Sequence, residues 1–176
     1  MRILLVQPPR CYWPYTSEGD NFLLQQALPA LAAVGRAEGH EVKVIDCMPL
    51  HIGWRSLYEE VKAFKPHVIG CGENHALYAS EALRFFELCK QAAPEAITIA
   101  GGGHFTNLAH RYTSNPNIDI ICIGEGEVTF AQILHEVDSG SKDWSKIDGV
   151  AYGAEGEHGI EMRQTQPAKL VKNLDD

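Results

Sequence analysis

The chain has 176 residues, about the size of one domain, and a formal net charge of −8. Proteins that bind nucleic acid usually carry a basic stripe, and the absence of one here argues against that class of partner. The amino-terminal apolar run of four residues is too short for a signal peptide or a membrane span, which predicts a soluble, cytoplasmic protein without a membrane partner.

Apolar runs and helical patterns alternate five times along the chain. Strands are predicted over residues 2–7, 41–46, 68–71, 96–100 and 118–123. Helices are predicted over residues 29–37, 54–64, 79–92, 107–113 and 128–137. This alternation predicts an α/β fold: a doubly wound, five-stranded parallel sheet with helices on both faces, in three layers.

Two segments depart from this alternation. The first strand is followed by a long connection over residues 9–27 that contains Tyr12, Trp13 and Tyr15, and such a loop is either a functional lid or partner surface or an ordinary packed loop. Near the other end, residues 149–152 form a possible short strand and residues 153–159 a turn. From Met162 to Asp176 the chain is polar and lacks a core pattern, which is typical of a linker or tail.

Three of the five predicted strands end in glycine-bearing polar loops. The loops are Gly72-Glu73-Asn74-His75, Gly101-Gly102-Gly103-His104 and Gly124-Glu125-Gly126-Glu127. Parallel strands share a direction, so all three loops are expected at one edge of the sheet, where glycine lets a bulky ligand approach the backbone. The alternative is that each glycine only serves a tight turn. We expect Gly102→Val to block this approach without unfolding the domain.

Nucleotide-binding motifs are missing at the positions where such folds need them. A dinucleotide fold requires G-x-G-x-x-G directly after the first strand, and this chain has Gln7-Pro-Pro-Arg-Cys-Tyr12 there. No Walker phosphate loop is present either.

Histidine and cysteine supply the remaining chemical leads. His75 and His104 follow strands at the same predicted edge and could meet a metal or a ligand. Cys71 could act as a nucleophile with His75 as its base, although a thiol within an apolar strand is more often inert packing. The five cysteines show neither CxxC nor CxxxCxxC spacing, so no zinc knuckle or iron–sulfur motif is present and reduced thiols are expected.

Over about residues 1–152 the chain resembles the amino-terminal cobalamin-binding domain of cobalamin-dependent radical S-adenosylmethionine enzymes. The motifs that carry this resemblance are Pro8-Pro9 after the first strand, Leu28-Pro-Ala-Leu31, 39–46 (Gly-His-Glu-Val-Lys-Val-Ile-Asp), Gly101-Gly-Gly-His104 and Gly124-Glu-Gly-Glu-Val-Thr129. The resemblance implies a flavodoxin-like sheet with strand order 2-1-3-4-5. Residues 153–176 would then be a linker or tail toward an absent radical S-adenosylmethionine domain.

The resemblance also implies where the cofactor binds. The corrin ring would lie across the carboxyl edge of the sheet, with its nucleotide tail beside the central strand. The implied contacts are Gly72, Glu73, Asn74, His75, Gly101, Gly102, Gly103, His104, Gly124, Glu125 and Gly126.

Two departures from that family limit the expectation. The wider cobalamin-binding class has D-x-H-x-x-G after the first strand, whose histidine ligates cobalt, whereas this chain has Arg10-Cys-Tyr-Trp-Pro-Tyr15. We therefore expect cobalamin bound base-off without a protein histidine ligand, and Tyr12, Trp13 or Tyr15 against the lower face of cobalt. The second departure is the missing CxxxCxxC motif, so S-adenosylmethionine and the 4Fe–4S cluster would be bound by a partner domain in cis or in trans.

Three hypotheses follow. The chain is a cobalamin module of a radical S-adenosylmethionine methyltransferase or cyclase, not an enzyme by itself. Alternatively, it is an interaction or small-molecule-binding module that does not bind cobalamin. The third hypothesis is a small-molecule enzyme that uses Cys71, His75 and His104.

Overall fold

The computed structural model describes residues 1–10 and 26–168. Within that range a seven-stranded sheet has the order β2-β1-β3-β4-β5-β6-β7. The strands are β1 (Arg2–Gln7), β2 (Glu41–Asp46), β3 (Val68–Gly72), β4 (Ile97–Gly101), β5 (Ile120–Cys122), β6 (Val150–Gly156) and β7 (Gly159–Gln164). The helices are α1 (Ala27–Ala37), α2 (Trp54–Phe64), α3 (Ala79–Ala92), α4 (Gly102–Asn107), α5 (Ala109–Tyr112) and α6 (Glu127–Asp138), with 3-10 turns at Ala76–Tyr78 and Trp144–Lys146.

Strands β1 to β5 form a parallel sheet in the predicted order 2-1-3-4-5. Successive residues of β1, β3 and β4 are buried on both faces, so helices must cover both sides of the sheet. Helices α1 and α6 pack on one face, against Ile3 and Leu5 of β1. Helices α2 and α3 pack on the other face, against Leu4 and Val6. The predicted doubly wound α/β class is therefore confirmed.

The sheet is larger than predicted because an antiparallel hairpin extends it. Strand β6 pairs antiparallel with β5, and β7 pairs antiparallel with β6. The prediction of five strands is therefore wrong in number. Strand β7 was missed because it is largely exposed, with only Glu161 half-buried, and so lacks the apolar alternation that identifies a strand in sequence. The segment predicted as a linker or tail, residues 153–176, thus contains most of β6 and all of β7. A domain boundary at residue 152 stays a prediction.

Two helices also begin where the sequence did not place them. Helix α1 begins at Ala27, two residues before Pro29. Helix α4 begins at Gly102, within a triple glycine that has the composition of a loop, and Ala109–Tyr112 forms a separate short helix. Among the described residues, no helix is long and apolar enough to cross a membrane.

Candidate functional site

A cavity of about 390 Å³ lies between α1, α6 and the carboxyl edge of the parallel strands. We call this cavity the slot. The three glycine-bearing loops line it together, because β3, β4 and β5 run in the same direction and end at the same edge. The predicted site residues that line the slot are Gly72, Asn74, Gly101, Gly102, Gly103, Gly124, Glu125 and Gly126.

The slot continues inward from the loops to a buried end. This end is formed by Leu5, Gly70 and Ile99 from the sheet, and by Leu28 and Phe130 from the two helices. A β-carbon on Gly70 would lie 2.8 Å from Leu5 Cδ2, so the absence of a side chain at Gly70 leaves room for the Leu5 side chain at this end. The sequence contains a signal for this residue: alternate positions of a strand share a face, which puts Gly70 on the same face as Gly72.

Backbone hydrogen bonds join the first two loops. The Glu73 amide donates to the Gly101 carbonyl at 2.9 Å, and the His104 amide donates to the Glu73 carbonyl at 3.0 Å. The Gly103 amide donates to Asn74 Oδ1 at 2.8 Å. Asn74 is therefore both a lining residue and a clamp between the loops.

Gly102 is required by the backbone at this junction. Its φ is +84°, and a β-carbon there would lie 2.6 Å from the Glu73 carbonyl oxygen. Both facts make any side chain at this position costly to the fold itself. The expectation that Gly102→Val leaves the domain folded is therefore not supported by the geometry.

Thr106 of α4 connects the second loop to the third, and the sequence reasoning missed it. Its hydroxyl donates to the Cys122 carbonyl at 3.4 Å and accepts from the Gly124 amide at 3.3 Å. Thr106 also lines the slot, so α4 both forms part of the rim and holds the third loop in place. Gly124 has a φ of +85°, which explains a glycine at the start of this loop.

Glu73 does not line the slot but holds the first loop in place. Its carboxylate is 1% exposed, and Oε2 forms an ion pair with Arg10 Nη2 at 2.6 Å. The other oxygen, Oε1, accepts from the backbone amides of Asn74 and His75 at 2.8 and 2.9 Å. The Arg10 guanidinium in turn lies 4.0 Å from the centre of the Tyr78 ring. Glu73 thus organises the rim, and its partner Arg10 was not identified from sequence.

Neither of the two predicted histidines lines the slot. His75 is exposed, with its ring edge-on to Tyr78 at 6.5 Å between centroids. His104 is buried on the opposite face of the sheet, where Nε2 hydrogen-bonds the Tyr112 hydroxyl at 2.7 Å. Across the described part of the chain, no three His, Cys, Asp or Glu side chains are grouped to hold a metal ion. Tyr12 and Trp13 lie outside the described residues.

The cysteines that the structure describes are buried and suited to packing. The Cys71 thiol belongs to the core cluster on the α2–α3 face, and burial, with the nearby Glu73 carboxylate, raises its pKa. Burial likewise raises the pKa of Cys122 to about 12. A thiol in this state is a poor nucleophile at neutral pH. His75, the proposed base, is exposed and packs edge-on to Tyr78. The geometry gives the nucleophile hypothesis no support.

Comparison with known proteins agrees with this geometry. The B12 binding domain family matches residues 19–134. An uncharacterized methyltransferase of Pyrococcus horikoshii is 27% identical over 184 residues, which cover 100% of this chain and 37% of the relative. The anaerobic magnesium-protoporphyrin IX monomethyl ester cyclase of Synechocystis sp. is 27% identical over 181 residues, which cover 99% of this chain and 34% of the cyclase.

A solved structure shares the fold. The radical S-adenosylmethionine methyltransferase TsrM from Kitasatospora setae, with cobalamin and a 4Fe–4S cluster bound, has a TM-score of 0.74 at 19% identity, over 99% of this chain and 30% of that chain. The chain thus spans about a third of the length of the proteins it matches. The resemblance to the cobalamin-binding domains of radical S-adenosylmethionine enzymes is confirmed, and the chain belongs to the B12 binding domain family.

Proposed function

We propose that this chain is the cobalamin-binding module of a radical S-adenosylmethionine methyltransferase or cyclase. The observation that carries the proposal is the convergence of three glycine-bearing loops on the mouth of one slot. An apolar slot with glycine at its walls is what a flat, bulky cofactor with a protruding tail requires.

The dimensions of the slot fit part of cobalamin. Its volume of about 390 Å³ is at the lower end of the range for small-molecule pockets, roughly 300–1,000 Å³, and is adequate for a nucleotide tail. A corrin ring is too broad for it and would rest over the rim formed by the loops. Gly101 supports this fit, because a β-carbon there would have no neighbour closer than Cys122 Cβ at 3.9 Å and would occupy the slot.

Each part of the site has a distinct role in this proposal. Leu28, Gly70 and Phe130 would enclose the tail, and Gly101 and Gly103 would let the corrin approach the backbone. Glu125 and Glu127, at the mouth, offer carboxylate oxygens that can accept hydrogen bonds from the amide side chains of the ring. When bound, cobalamin supplies a cobalt centre that can accept and donate a methyl group.

Tail binding in the slot supports a base-off cofactor, because a base held beside β3 cannot also bind cobalt. No histidine occurs in the segment Gln7–Tyr15 that could replace it. S-adenosylmethionine and the 4Fe–4S cluster would be bound by a further domain, in cis or in trans, since this sequence has no CxxxCxxC motif. The relatives include a methyltransferase and a cyclase, which supports both reaction classes.

Incubation with hydroxocobalamin, followed by desalting and a visible spectrum, tests the proposal. We expect about one corrinoid retained per chain, with the absorption of a cofactor whose tail base is displaced. A paramagnetic resonance spectrum of the cobalt(II) form should lack splitting from a protein nitrogen. Failure to retain the corrinoid would instead favour an interaction module that has kept the fold.

A further inference from the structure

The buried end of the slot has an unusual chemical character. Its residues are Leu5, Leu28, Gly70, Ile99 and Phe130, and their exposed fraction does not exceed 4% where a side chain is present. None of them has a polar side-chain group. The polar side chains that line the slot within the described ranges, Asn74, Thr106, Glu125 and Glu127, belong to the rim loops and to the ends of helices that adjoin them. Cys71 and Cys122 also line the slot, and a thiol is only a weak hydrogen-bonding group.

The backbone at the buried end has little to offer a polar ligand group either. Gly70 of β3 pairs with Leu5 of β1 on one side and with Ile99 of β4 on the other. Hydrogen bonds between the paired strands therefore occupy the backbone amides and carbonyls at this end of the slot, which leaves few of them for a ligand. Nearer the rim, Asn74 Oδ1 already accepts from Gly103, and the Thr106 hydroxyl already bonds Cys122 and Gly124.

We propose that the buried end of the slot selects cobamides by their tail base, preferring dimethylbenzimidazole to adenine. This inference rests on the proposed function, since it requires the tail to enter the slot. Displaced from cobalt, dimethylbenzimidazole leaves a single ring nitrogen to be satisfied, and the rest of the base is hydrocarbon. Adenine brings further ring nitrogens and an amino group. A buried polar group without a partner weakens binding by about five- to a hundredfold.

Leu28 offers a direct way to change this character. It lies in the first turn of α1, is 4% exposed and lines the slot. Leu28→Gln keeps a side chain of similar length and adds an amide, whose oxygen can accept from the adenine amino group and whose NH2 can donate to a ring nitrogen. Leu28→Met is the matched control, because it alters shape without adding a donor or acceptor.

The experiment measures the Kd of the wild-type chain and both variants for three ligands: cobalamin, the adenine-containing pseudocobalamin, and cobinamide, which has no nucleotide tail. The cost of detaching each base from cobalt belongs to the ligand alone. It therefore cancels when the ratio of the pseudocobalamin Kd to the cobalamin Kd is compared between proteins. We expect this ratio to fall by about tenfold in Leu28→Gln and to change less than twofold in Leu28→Met. The cobinamide Kd should change less than twofold in both variants, because this ligand has no tail to contact Leu28.

The outcomes separate this inference from the proposed function. If no corrinoid binds the wild-type chain, the proposed function fails and the inference falls with it. If cobalamin binds but the ratio is the same in all three proteins, base selection by the buried end is overturned while the function stands. If Leu28→Gln changes the cobinamide Kd as much as it changes the cobalamin Kd, the tail makes no contact with Leu28 in the slot, which also overturns the inference.

Discussion

Gly101 and Gly102 are adjacent in sequence but serve different purposes. Gly101 has extended backbone, with φ −156° and ψ −171°, and a β-carbon there would meet no atom closer than 3.9 Å. Gly102 has a φ of +84° and no room for a β-carbon. A side chain at Gly101 should therefore obstruct the slot, and one at Gly102 should strain the fold.

Replacing Gly101 with leucine should raise the Kd for cobalamin by about tenfold or more, because the side chain would occupy the volume assigned to the tail. Gly53→Leu is the control, since Gly53 has open space around it and lies outside the slot. Titration followed by visible absorbance gives the Kd, and urea unfolding verifies that both variants are folded. Equal affinity of Gly101→Leu and Gly53→Leu for cobalamin would contradict a tail-binding slot.

Gly102→Ala should lower the free energy of unfolding by about 1–3 kcal/mol, because of its left-handed backbone and the close Glu73 carbonyl. Gly103→Ala is the matched control: a β-carbon there would lie 3.7 Å from Asn74 Oδ1, an ordinary contact, and alanine favours the helix α4. Chemical denaturation measures both. A Gly102→Ala variant as stable as Gly103→Ala would show that the junction of the two loops is looser than described.

Residue types predicted the rim of the slot better than its interior. Glycine and polar residues after three strands were recognisable because parallel strands share an edge. The placement of His104 could not be recognised from sequence, because a helix that begins at Gly102 turns this side chain to the opposite face of the sheet. Gly70 was overlooked because a glycine within an apolar run looks like core, although its position two residues before Gly72 puts both glycines on one face of β3.

At the scale of secondary-structure elements, an ion pair fixes the loop after β3 to the end of β1. Arg10 is 13% exposed and Glu73 1% exposed, so removing one partner leaves a buried charge uncompensated. Arg10→Met should lower the free energy of unfolding by about 3 kcal/mol and weaken cobalamin binding. Adding Glu73→Gln should recover part of both losses, because its amide oxygen can still accept from the amides of Asn74 and His75.

A control for this pair lies at the other edge of the sheet. Lys90 and Asp119 form an ion pair at 2.6 Å beside the amino-terminal ends of β4 and β5, whereas the glycine loops follow the carboxyl ends of these strands. Lys90→Met should cost stability without altering the Kd for cobalamin. A double-mutant cycle on Arg10 and Glu73 provides the measurement, and strictly additive effects of the two substitutions would refute the coupling.

The β6–β7 hairpin was predicted only in its first residues. Strand β6 begins as a buried strand, at Val150 and Ala151, and this part was anticipated. Beyond Ala151 the hairpin depends on backbone pairing between its own strands, with little side-chain burial to mark it. The chain then returns beside the start of β6, where the Thr165 amide donates to the Val150 carbonyl at 3.0 Å.

At the scale of the whole molecule, buried thiols should link stability to alkaline pH. Burial raises the pKa of Cys122 from 9.0 to about 12, so above pH 9 the unfolded chain loses a proton that the folded chain keeps. Unfolding is therefore favoured as the pH rises. Between pH 8 and pH 10 the free energy of unfolding of Cys122→Ala should fall by about 1 kcal/mol less than that of the wild-type chain. Parallel curves for the two proteins would contradict this.

The alternation of strands and helices predicted a parallel sheet covered on both faces, and the order of its strands was implied by the family resemblance. The five parallel strands and their order agree with the structure, and the hairpin that follows them is the part that pattern could not specify.

A crystal structure of the protein grown with cobalamin tests the central claim most directly, because it locates both the ring and the tail. The account predicts the corrin over the rim of the three glycine-bearing loops, with the dimethylbenzimidazole base between Leu28, Gly70 and Phe130 and no protein histidine on cobalt. A cobalamin bound elsewhere, or one whose base still ligates cobalt while the slot stays closed to it, would contradict the account.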